Sequence, residues 1–190
     1  MNKYFVLLLS VFLLLVSCKE ESYYPKPYGF YRIEFPEKVE LKTYQGNCGY
    51  SYQYPNFAVV QDVNDCNQNI YFPKFNAVLH LTSIQFDNSE KNNLFYHSEF
   101  SRKLAYEHRI KADAINELVY KNDSLNVYGV SYEIIGNVAS NYQFFLTDST
   151  HNFFRGSLYF NIKPNIDSVK PVLDYLTSNI EGVIESFDWK

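Results

Sequence analysis

The three cysteines of this 190-residue chain are the residues whose positions most directly indicate a chemistry. Cys18 follows an almost unbroken apolar run over residues 4–16, and the local order is Leu-Val-Ser-Cys. A basic residue (Lys3), an apolar stretch and a small residue before the cleavage point are typical of a secretory signal peptide. A cysteine there accepts diacylglycerol, and a second acylation gives the stable anchoring that one chain does not give. We therefore predict a lipoprotein signal peptide over residues 1–17 and lipidation of Cys18; an ordinary cleaved signal or a single-span anchor is the alternative.

Residues 18–28 predict a short polar tether between the lipid and the folded part of the chain. Pro25 and Pro27 favour extended polyproline geometry, which gives such a tether some stiffness. The Lys-Glu-Glu sequence that begins at Lys19 resembles a signal that sends some bacterial lipoproteins to the outer surface of the outer membrane. Charged residues would also serve simply as a solvated spacer, so the cell surface and the periplasmic face are both open.

Cys48 and Cys66 remain after the signal peptide is removed. The exported compartment is oxidising, so a disulfide is the first interpretation of such a pair. Closing a loop of this length would stabilise the fold by about 3 kcal/mol if the effect is chain entropy. Neither cysteine lies in a Cys-x-x-Cys motif or has an evident base beside it, which disfavours a redox or catalytic role. Whether the two pair with each other depends on their distance in the fold.

The four histidines, His80, His97, His108 and His151, do not have the spacing of metal ligands. No two of them stand four residues apart, and the sequence contains no His-Glu-x-x-His motif. It also contains no Gly-x-Ser-x-Gly motif, phosphate-binding loop or dinucleotide-binding glycine pattern. We therefore predict no catalytic residues, no metal and no cofactor. An envelope hydrolase that uses His108 or His151 with a nearby carboxylate is the least favoured alternative.

Composition indicates a β-rich exported domain and disfavours nucleic-acid binding. Loss of Lys3 with the signal peptide leaves 16 of the 17 basic residues against 21 acidic ones, a net charge of −5 with neutral histidines. A phosphate-binding surface needs a basic patch, so no nucleic-acid partner is predicted. The 18 tyrosines and 16 phenylalanines suit strands and interfaces. Tyr50, Tyr52 and Tyr54 alternate, and if exposed they would form a stacking surface for glycan or peptidoglycan, which is the alternative function.

Alternating apolar and polar residues predict a strand-rich first half, then a helix, three strands and a second helix. The predicted strands cover residues 29–35, 50–54, 58–63, 70–72, 77–84, 126–135, 142–147 and 153–162, with a turn-rich stretch over 62–69 and a hairpin loop over 148–152. The first helix begins after a cap at Asn92 or Asn93 and ends near Ala112. Its apolar stripe contains Leu94, Phe95, His97, Phe100, Leu104, Ala105 and His108.

The last helix is the most regular element of the sequence. We predict a cap at Asp167 or Ser168, and Pro171 in or at the edge of the first turn, where its missing donor costs little. An apolar stripe then repeats at helical spacing: Val169, Val172, Leu173, Leu176, Ile180, Val183, Ile184 and Phe187. We expect this helix to cover one face of the sheet.

The order of elements predicts an α+β fold in which a mostly antiparallel sheet is packed by two main helices. One domain over residues 29–190 is expected to contain all of them, because a chain of this size forms one core. The ending of three strands, a helix and a Phe-x-Trp sequence resembles, as a pattern alone, the PsbP-like α/β/α sandwich.

The end of the first helix carries an unusual density of functional side-chain types. They are Tyr106, Glu107, His108, Arg109, Lys111 and Asp113. Cations at a helix C-terminus interact favourably with its dipole, which is the simplest explanation of this segment. The sharper interpretation is a docking patch for a protein partner.

Several further motifs stand in a fixed order along the chain. They are Tyr106-Glu107-His108-x-Ile110-Lys111-Ala112-Asp113-x-Ile115, Val127-Tyr128-Gly129, Gly136-Asn137-Val138-Ala139, Phe144-x-x-Thr147-Asp148-Ser149-Thr150 and Gly156-Ser157-Leu158-Tyr159-Phe160-x-x-Lys163-Pro164-Asn165-x-Asp167-Ser168. Together these motifs resemble the family of gliding-motility lipoproteins called GldD. The lipidation sequence, the Tyr-Pro-Lys-Pro tether, the two later cysteines and the terminal Trp-Lys fit too. The resemblance implies an outer-membrane lipoprotein needed for gliding and the linked type IX secretion machinery. It also implies partners among the other lipoproteins of that apparatus, which the protein assembles or stabilises without catalysis.

Overall fold

Two antiparallel sheets and two α-helices make up the fold in a computed structural model that describes residues 32–46, 48–64, 66–87 and 89–190. The strands are β1 (Leu41–Gln45), β2 (Tyr50–Pro55), β3 (Val59–Asn64), β4 (Asn67–Phe72), β5 (Ala77–Gln85), β6 (Ala112–Asn122), β7 (Val127–Gly136), β8 (Tyr142–Thr147), β9 (Asn152–Phe160) and β10 (Asp188–Trp189). The α-helices are α1 (Leu94–Tyr106) and α2 (Ile166–Glu185), with short 3₁₀ helices at Pro73–Phe75 and Glu107–Ile110. The α+β fold with a mostly antiparallel sheet and two main helices is confirmed. The predicted signal peptide, Cys18 and the tether lie outside the described residues.

The larger sheet joins the two halves of the chain. Among the described residues its strand order is β3-β4-β5-β9-β8-β7-β6, and the smaller sheet has the order β1-β2-β10. Most neighbours in the larger sheet are also neighbours in the sequence, so hairpins connect them. The exception is β5, which pairs antiparallel with β9 along its whole length. This pairing places the strands before α1 beside those after it.

Different elements cover the two faces of the larger sheet. On one face, Phe144 and Phe154 share a core with Ile180 of α2. On the other face, Phe145 shares a smaller core with Ala105 of α1. Side chains alternate between the faces of a strand, which is why adjacent phenylalanines enter different cores. Each buried aromatic side chain stabilises the fold by about 1.5–3 kcal/mol, so both helices are held to the sheet mainly by apolar burial.

The buried face of α2 agrees with the predicted apolar stripe, but its start does not agree with the prediction. The buried residues are Val169, Leu173, Leu176, Ile180, Val183 and Ile184. Asn165 is the N-cap residue, so the predicted caps Asp167 and Ser168 lie inside the first turn. The helix starts early because the side chain of Asn137 accepts a hydrogen bond from the Ile166 N–H at 2.7 Å.

Pro171 lies inside α2, beyond its first turn, which corrects the predicted position. A proline there removes one helical hydrogen bond, since it has no N–H group. Its side chain is exposed. The apolar contacts of the opposite face therefore have to compensate for the missing bond.

The start of α1 confirms one of the two predicted caps. The side chain of Asn93 accepts a hydrogen bond from the Tyr96 N–H at 2.9 Å. The predicted end near Ala112 is wrong, because the α-helix ends at Tyr106 and β6 begins at Ala112. The 3₁₀ turn Glu107–Ile110 joins the two elements.

The sequence prediction misses β6, β1 and β10. β6 is an edge strand of the larger sheet, and most of its side chains are exposed on both faces. Such a strand has no apolar alternation, so its sequence lacks the signal on which the prediction depends. β10 contains only two residues, and its Trp189 pairs with Tyr50 of β2.

Other predicted strands shift at their ends. Residues 32–35 lie outside any strand, and the rest of the predicted strand over 29–35 lies outside the described residues. β4 begins at Asn67, inside the stretch predicted as turns, because the β3–β4 hairpin is tight. β9 ends at Phe160, two residues before the predicted end.

Candidate partner-binding surface

The outward face of α1 carries three exposed aromatic side chains. Phe95 is 77% exposed, Phe100 is 45% exposed and Tyr96 is 38% exposed. The rings of Tyr96 and Phe100 lie nearly parallel, with their centroids 6.3 Å apart. The prediction that Phe95 and Phe100 belong to the buried stripe is wrong, since Ser101 and Ala105 are the buried residues of this helix.

A polar cluster fixes the side chain of Tyr106 at the end of α1. Tyr106 Oη donates a hydrogen bond to Glu117 Oε1 of β6 at 2.8 Å. The Arg102 guanidinium lies 5.0 Å from the centroid of the Tyr106 ring, and its Nε is 4.0 Å from Glu117 Oε1. The hydrogen bond to Glu117 raises the pKa of Tyr106, with smaller contributions from burial and from the charge of Glu117. The cluster therefore presents an aromatic ring with a cation on its face.

The six residues of the predicted docking patch follow the chain from Tyr106 at the end of α1, through the 3₁₀ turn, to Asp113 at the start of β6. Glu107, Arg109, Lys111 and Asp113 are exposed, and Tyr106 and His108 are half-buried. Burial lowers the pKa of His108, and the charge of Glu107 opposes this shift.

Ile110 and a strand irregularity complete the surface. Ile110, in the 3₁₀ turn, is 88% exposed. The pairing of β6 with β7 shifts register between Ala112 and Ala114, so Asp113 lies at a bulge. A bulge re-aims side chains and is common next to functional sites. We define the α1 surface as the aromatics Phe95, Tyr96 and Phe100, the residue Ile110, and the six predicted patch residues Tyr106, Glu107, His108, Arg109, Lys111 and Asp113.

The sequence pattern predicted a docking patch only at the charged residues of the α1 surface and did not indicate its exposed aromatics. Aromatic residues occur on several sides of α1, so helical spacing alone assigned too many of them to the core. The signal that distinguishes them is their polar surroundings: Glu99, Arg102 and Lys103 flank Phe100 on the outward face. A helix whose aromatic residues alternate with charges on the same face is not expected to bury that face.

One known protein family matches almost the whole chain. The sequence model of the family described as gliding motility lipoprotein GldD matches residues 20–189. The chain belongs to this family. The match includes the whole α1 surface and confirms the resemblance seen in the sequence motifs. Membership places the chain among membrane-associated lipoproteins of the cell envelope. Comparison with curated proteins finds no match.

The tyrosines proposed for glycan stacking lie mostly in the core of this GldD-family chain. Tyr50 is 0% exposed, Tyr52 is 1% exposed and Tyr54 is half-buried. Burial raises the pKa values of Tyr50 and Tyr52 far above that of a free phenol. Both rings pack against Phe154 of the larger sheet. The prediction of an exposed stacking surface on β2 is therefore wrong.

A disulfide links the two sheets of the GldD-family chain. Cys48 and Cys66 are bonded, and their Cα atoms are 5.3 Å apart. Tyr50 Oη lies 2.7 Å from the carbonyl oxygen of Cys66 and also hydrogen-bonds Gln68. The smaller sheet is thus attached to the β3–β4 hairpin by one covalent bond and by a buried tyrosine.

The histidines of the chain have local polar or aromatic neighbours. His97 lies 3.0 Å from Asn92 Oδ1 and stacks on Phe86, and His151 Nδ1 lies 3.0 Å from Thr150 Oγ1. No carboxylate of the described residues hydrogen-bonds the ring of His108 or His151.

The residues that the structure describes contain no group of three or more His, Cys, Asp or Glu side chains that could hold a metal ion. In the same part of the chain, no helix is long and apolar enough to cross a membrane.

Proposed function

We propose that the chain is an outer-membrane-associated lipoprotein of the gliding apparatus and its linked type IX secretion machinery. It acts without catalysis, by holding and stabilising partner lipoproteins through the α1 surface. The observation that carries the proposal is the set of three exposed aromatics on α1: Phe95, Tyr96 and Phe100.

The physical argument is that exposed aromatic side chains gain free energy only when something covers them. Burying one such side chain is worth about 1.5–3 kcal/mol. Aromatic residues and arginine are enriched at the centres of protein interfaces, and charged residues form the rim. The α1 surface has this composition, with aromatics along the helix and Glu107, Arg109, Lys111 and Asp113 at its end.

Lipid attachment supports the same proposal. A lipidated Cys18 would confine the domain to the membrane that its partner lipoproteins also occupy. Confinement of two binding partners to one surface raises their effective concentration, so a modest interface is sufficient for a stable complex. Protein binding by a membrane-attached domain is therefore consistent with an apolar contact area as small as three side chains.

The test is the double variant Phe95→Ala/Phe100→Ala in the native strain. Both side chains are exposed, so the free energy of unfolding is expected to change by less than about 0.5 kcal/mol. Colony spreading is expected to be lost, and immunoblots are expected to show lower amounts of the partner lipoproteins. The matched control is Val59→Ala/Val63→Ala, which removes two similarly exposed apolar side chains from the other edge of the sheet.

Two results would reject the proposal. One is normal spreading by the α1 double variant at normal expression. The other is normal spreading and secretion, with unchanged partner lipoproteins, in a strain that lacks the chain altogether.

Glycan or peptidoglycan binding through β2 is the alternative that the core position of Tyr50 and Tyr52 disfavours. Pull-down of the chain on immobilised envelope glycans, compared with pull-down on envelope proteins, separates it from the leading proposal. Capture by the glycans alone would favour the alternative.

A further inference from the structure

A hollow of about 380 Å³ lies on strands β5 and β9 of the larger sheet. It is on the same face of the sheet that α1 packs against. It is lined by His80, Thr82, Arg155, Ser157 and Tyr159. His80 pairs with Ser157 across the two strands, and Thr82 pairs with Arg155. All five residues are two apart along their strands, so their side chains point to the same face.

Arg155 is a half-buried cation that has no acidic partner within the part of the chain that the structure describes. Its Nη2 donates a hydrogen bond to Gln143 Oε1 at 3.0 Å, and no carboxylate of the described residues pairs with it. Burial lowers the pKa of the guanidinium, although an arginine keeps its charge in a protein at neutral pH. A charge removed from water is unfavourable unless an opposite charge or several hydrogen bonds compensate. A single amide oxygen leaves most of the five N–H donors of Arg155 available.

Ser157 supplies a second, independent observation. It is 4% exposed, and its hydroxyl is buried without a hydrogen-bond partner among the described residues. Buried polar atoms in folded proteins nearly always have partners, so an unpaired one in the wall of a hollow points to a missing ligand group. Thr82 lines the same space.

The aromatic side of the hollow is ordered. The rings of His80 and Tyr159 meet edge to face, with centroids 5.5 Å apart. His80 Nδ1 lies 2.7 Å from Asn69 Oδ1, and Asn69 Nδ2 donates to Tyr71 Oη at 3.1 Å. In this network the Nδ1–H of His80 donates to Asn69. The other ring nitrogen, Nε2, then carries no proton and can accept a hydrogen bond.

We propose that this hollow binds the carboxylate of an acidic sugar unit, with the guanidinium of Arg155 as the charged partner. A planar guanidinium binds a carboxylate through two parallel hydrogen bonds, and one unpaired positive charge matches one carboxylate. The hydroxyls of Ser157 and Thr82 and the nitrogen of His80 then match the hydroxyl groups of a sugar. The volume lies within the range of small-molecule sites, about 300–1,000 Å³. This site is separate from the α1 surface and does not depend on its function.

The experiment titrates the full chain, solubilised in detergent micelles, with sodium glucuronate. Backbone amide resonances are followed by NMR, with glucose, acetate and inorganic phosphate as the comparison ligands. Saturable shifts centred on Thr82, Arg155 and Ser157 are expected with glucuronate, and at least tenfold weaker binding is expected with the other three. If glucose binds as tightly as glucuronate, the site does not recognise the carboxylate, and the proposal is overturned. If phosphate binds more tightly than glucuronate, the anion that the site recognises is not a carboxylate, and the proposal is also overturned.

Three variants connect the binding to the residues. Arg155→Gln is expected to weaken glucuronate binding at least tenfold, while Arg155→Lys, which keeps the charge but not the paired donors, is expected to weaken it less. Ser157→Ala removes only the unpaired hydroxyl, so the fold is kept and binding is expected to fall severalfold. Lys42→Gln is the control with the same change of charge on β1 of the smaller sheet, where the side chain is exposed, and it is expected to bind as the native chain does.

Circular dichroism of each variant separates loss of binding from loss of the fold. If Arg155→Gln does not fold, Ser157→Ala decides the question. Unchanged binding in folded Ser157→Ala or in folded Arg155→Gln would overturn the proposal.

Discussion

Two buried tyrosine hydroxyls on β2 have opposite hydrogen-bonding situations. Tyr50 Oη contacts the carbonyl oxygen of Cys66 and the side chain of Gln68, which is itself fully buried. Tyr52 Oη is buried without a partner among the described residues. An unpaired buried hydroxyl costs about 1–3 kcal/mol, and a paired one contributes about 1 kcal/mol. The same substitution at the two positions should therefore have effects of opposite sign.

Tyr52→Phe is expected to raise the free energy of unfolding by about 1 kcal/mol, because it removes the unpaired hydroxyl. Tyr50→Phe is expected to lower it by about 1–2 kcal/mol, because it leaves the buried Gln68 oxygen without a donor. Urea denaturation of the two variants and the native chain, with the disulfide intact, measures both changes. A change of the same sign in both variants would contradict the assignment of these hydroxyls.

The buried tyrosines also predict how stability depends on pH. Burial raises the pKa of Tyr132 and of Tyr142 to about 12, from about 10 in the unfolded chain. The folded state therefore holds these protons more tightly, and the stabilisation is fully present below about pH 10. It is lost as the pH rises from about 10 to about 12, since the unfolded chain releases the protons first.

Alkaline titration monitored by tyrosinate absorbance and circular dichroism tests this expectation. Part of the tyrosinate signal is expected to appear together with cooperative unfolding above pH 10. Complete ionisation of all tyrosines near pH 10 in a chain that remains folded would contradict the burial described for Tyr132 and Tyr142.

Among the described elements, α2 contributes the most buried apolar residues to the core. Six of its residues are buried, and they cover the face of the sheet that carries Phe144 and Phe154. A chain truncated after Pro164 would lose the helix and expose that face to water. Truncation is therefore expected to give insoluble protein on expression, measured as the fraction recovered in the pellet. A soluble truncated chain with a cooperative thermal transition would show that the sheet does not need α2.

Sequence periodicity was informative for elements with one buried face and uninformative for elements without one. The apolar stripe of α2 and the alternation of β2, β5, β7 and β8 predicted those elements close to their observed bounds. β6 is an edge strand with two largely exposed faces, so it has no such pattern. α1 was predicted as a helix, but the spacing of its aromatics did not reveal that Phe95 and Phe100 face water. Tertiary contacts determine both features. β6 forms through its pairing with β7, and the exposure of Phe95 and Phe100 depends on which part of the sheet α1 covers.

For the whole molecule, family membership indicates a membrane-associated lipoprotein, and the α1 surface and the hollow at Arg155 lie on separate parts of its folded domain. Motifs in the sequence indicated the GldD family and the charged half of the α1 surface. They did not indicate the hollow at Arg155, because its five residues come from two strands that are about 75 positions apart and meet only through the β5–β9 pairing. The isolated Arg155 and the buried hydroxyl of Ser157 become informative only when that pairing is known.

The central claim is that the α1 surface contacts a partner lipoprotein in the envelope. A photo-activated crosslinking amino acid placed at Phe95 tests it in intact cells, with the same amino acid at the exposed Val63 as the control. We expect position 95 to capture a lipoprotein of the gliding apparatus, identified by mass spectrometry, and position 63 not to capture it. In the Cys18→Ala background the capture is expected to be lost, because the chain is no longer confined to the membrane. Absence of capture at position 95, or equal capture at positions 95 and 63, would contradict the claim.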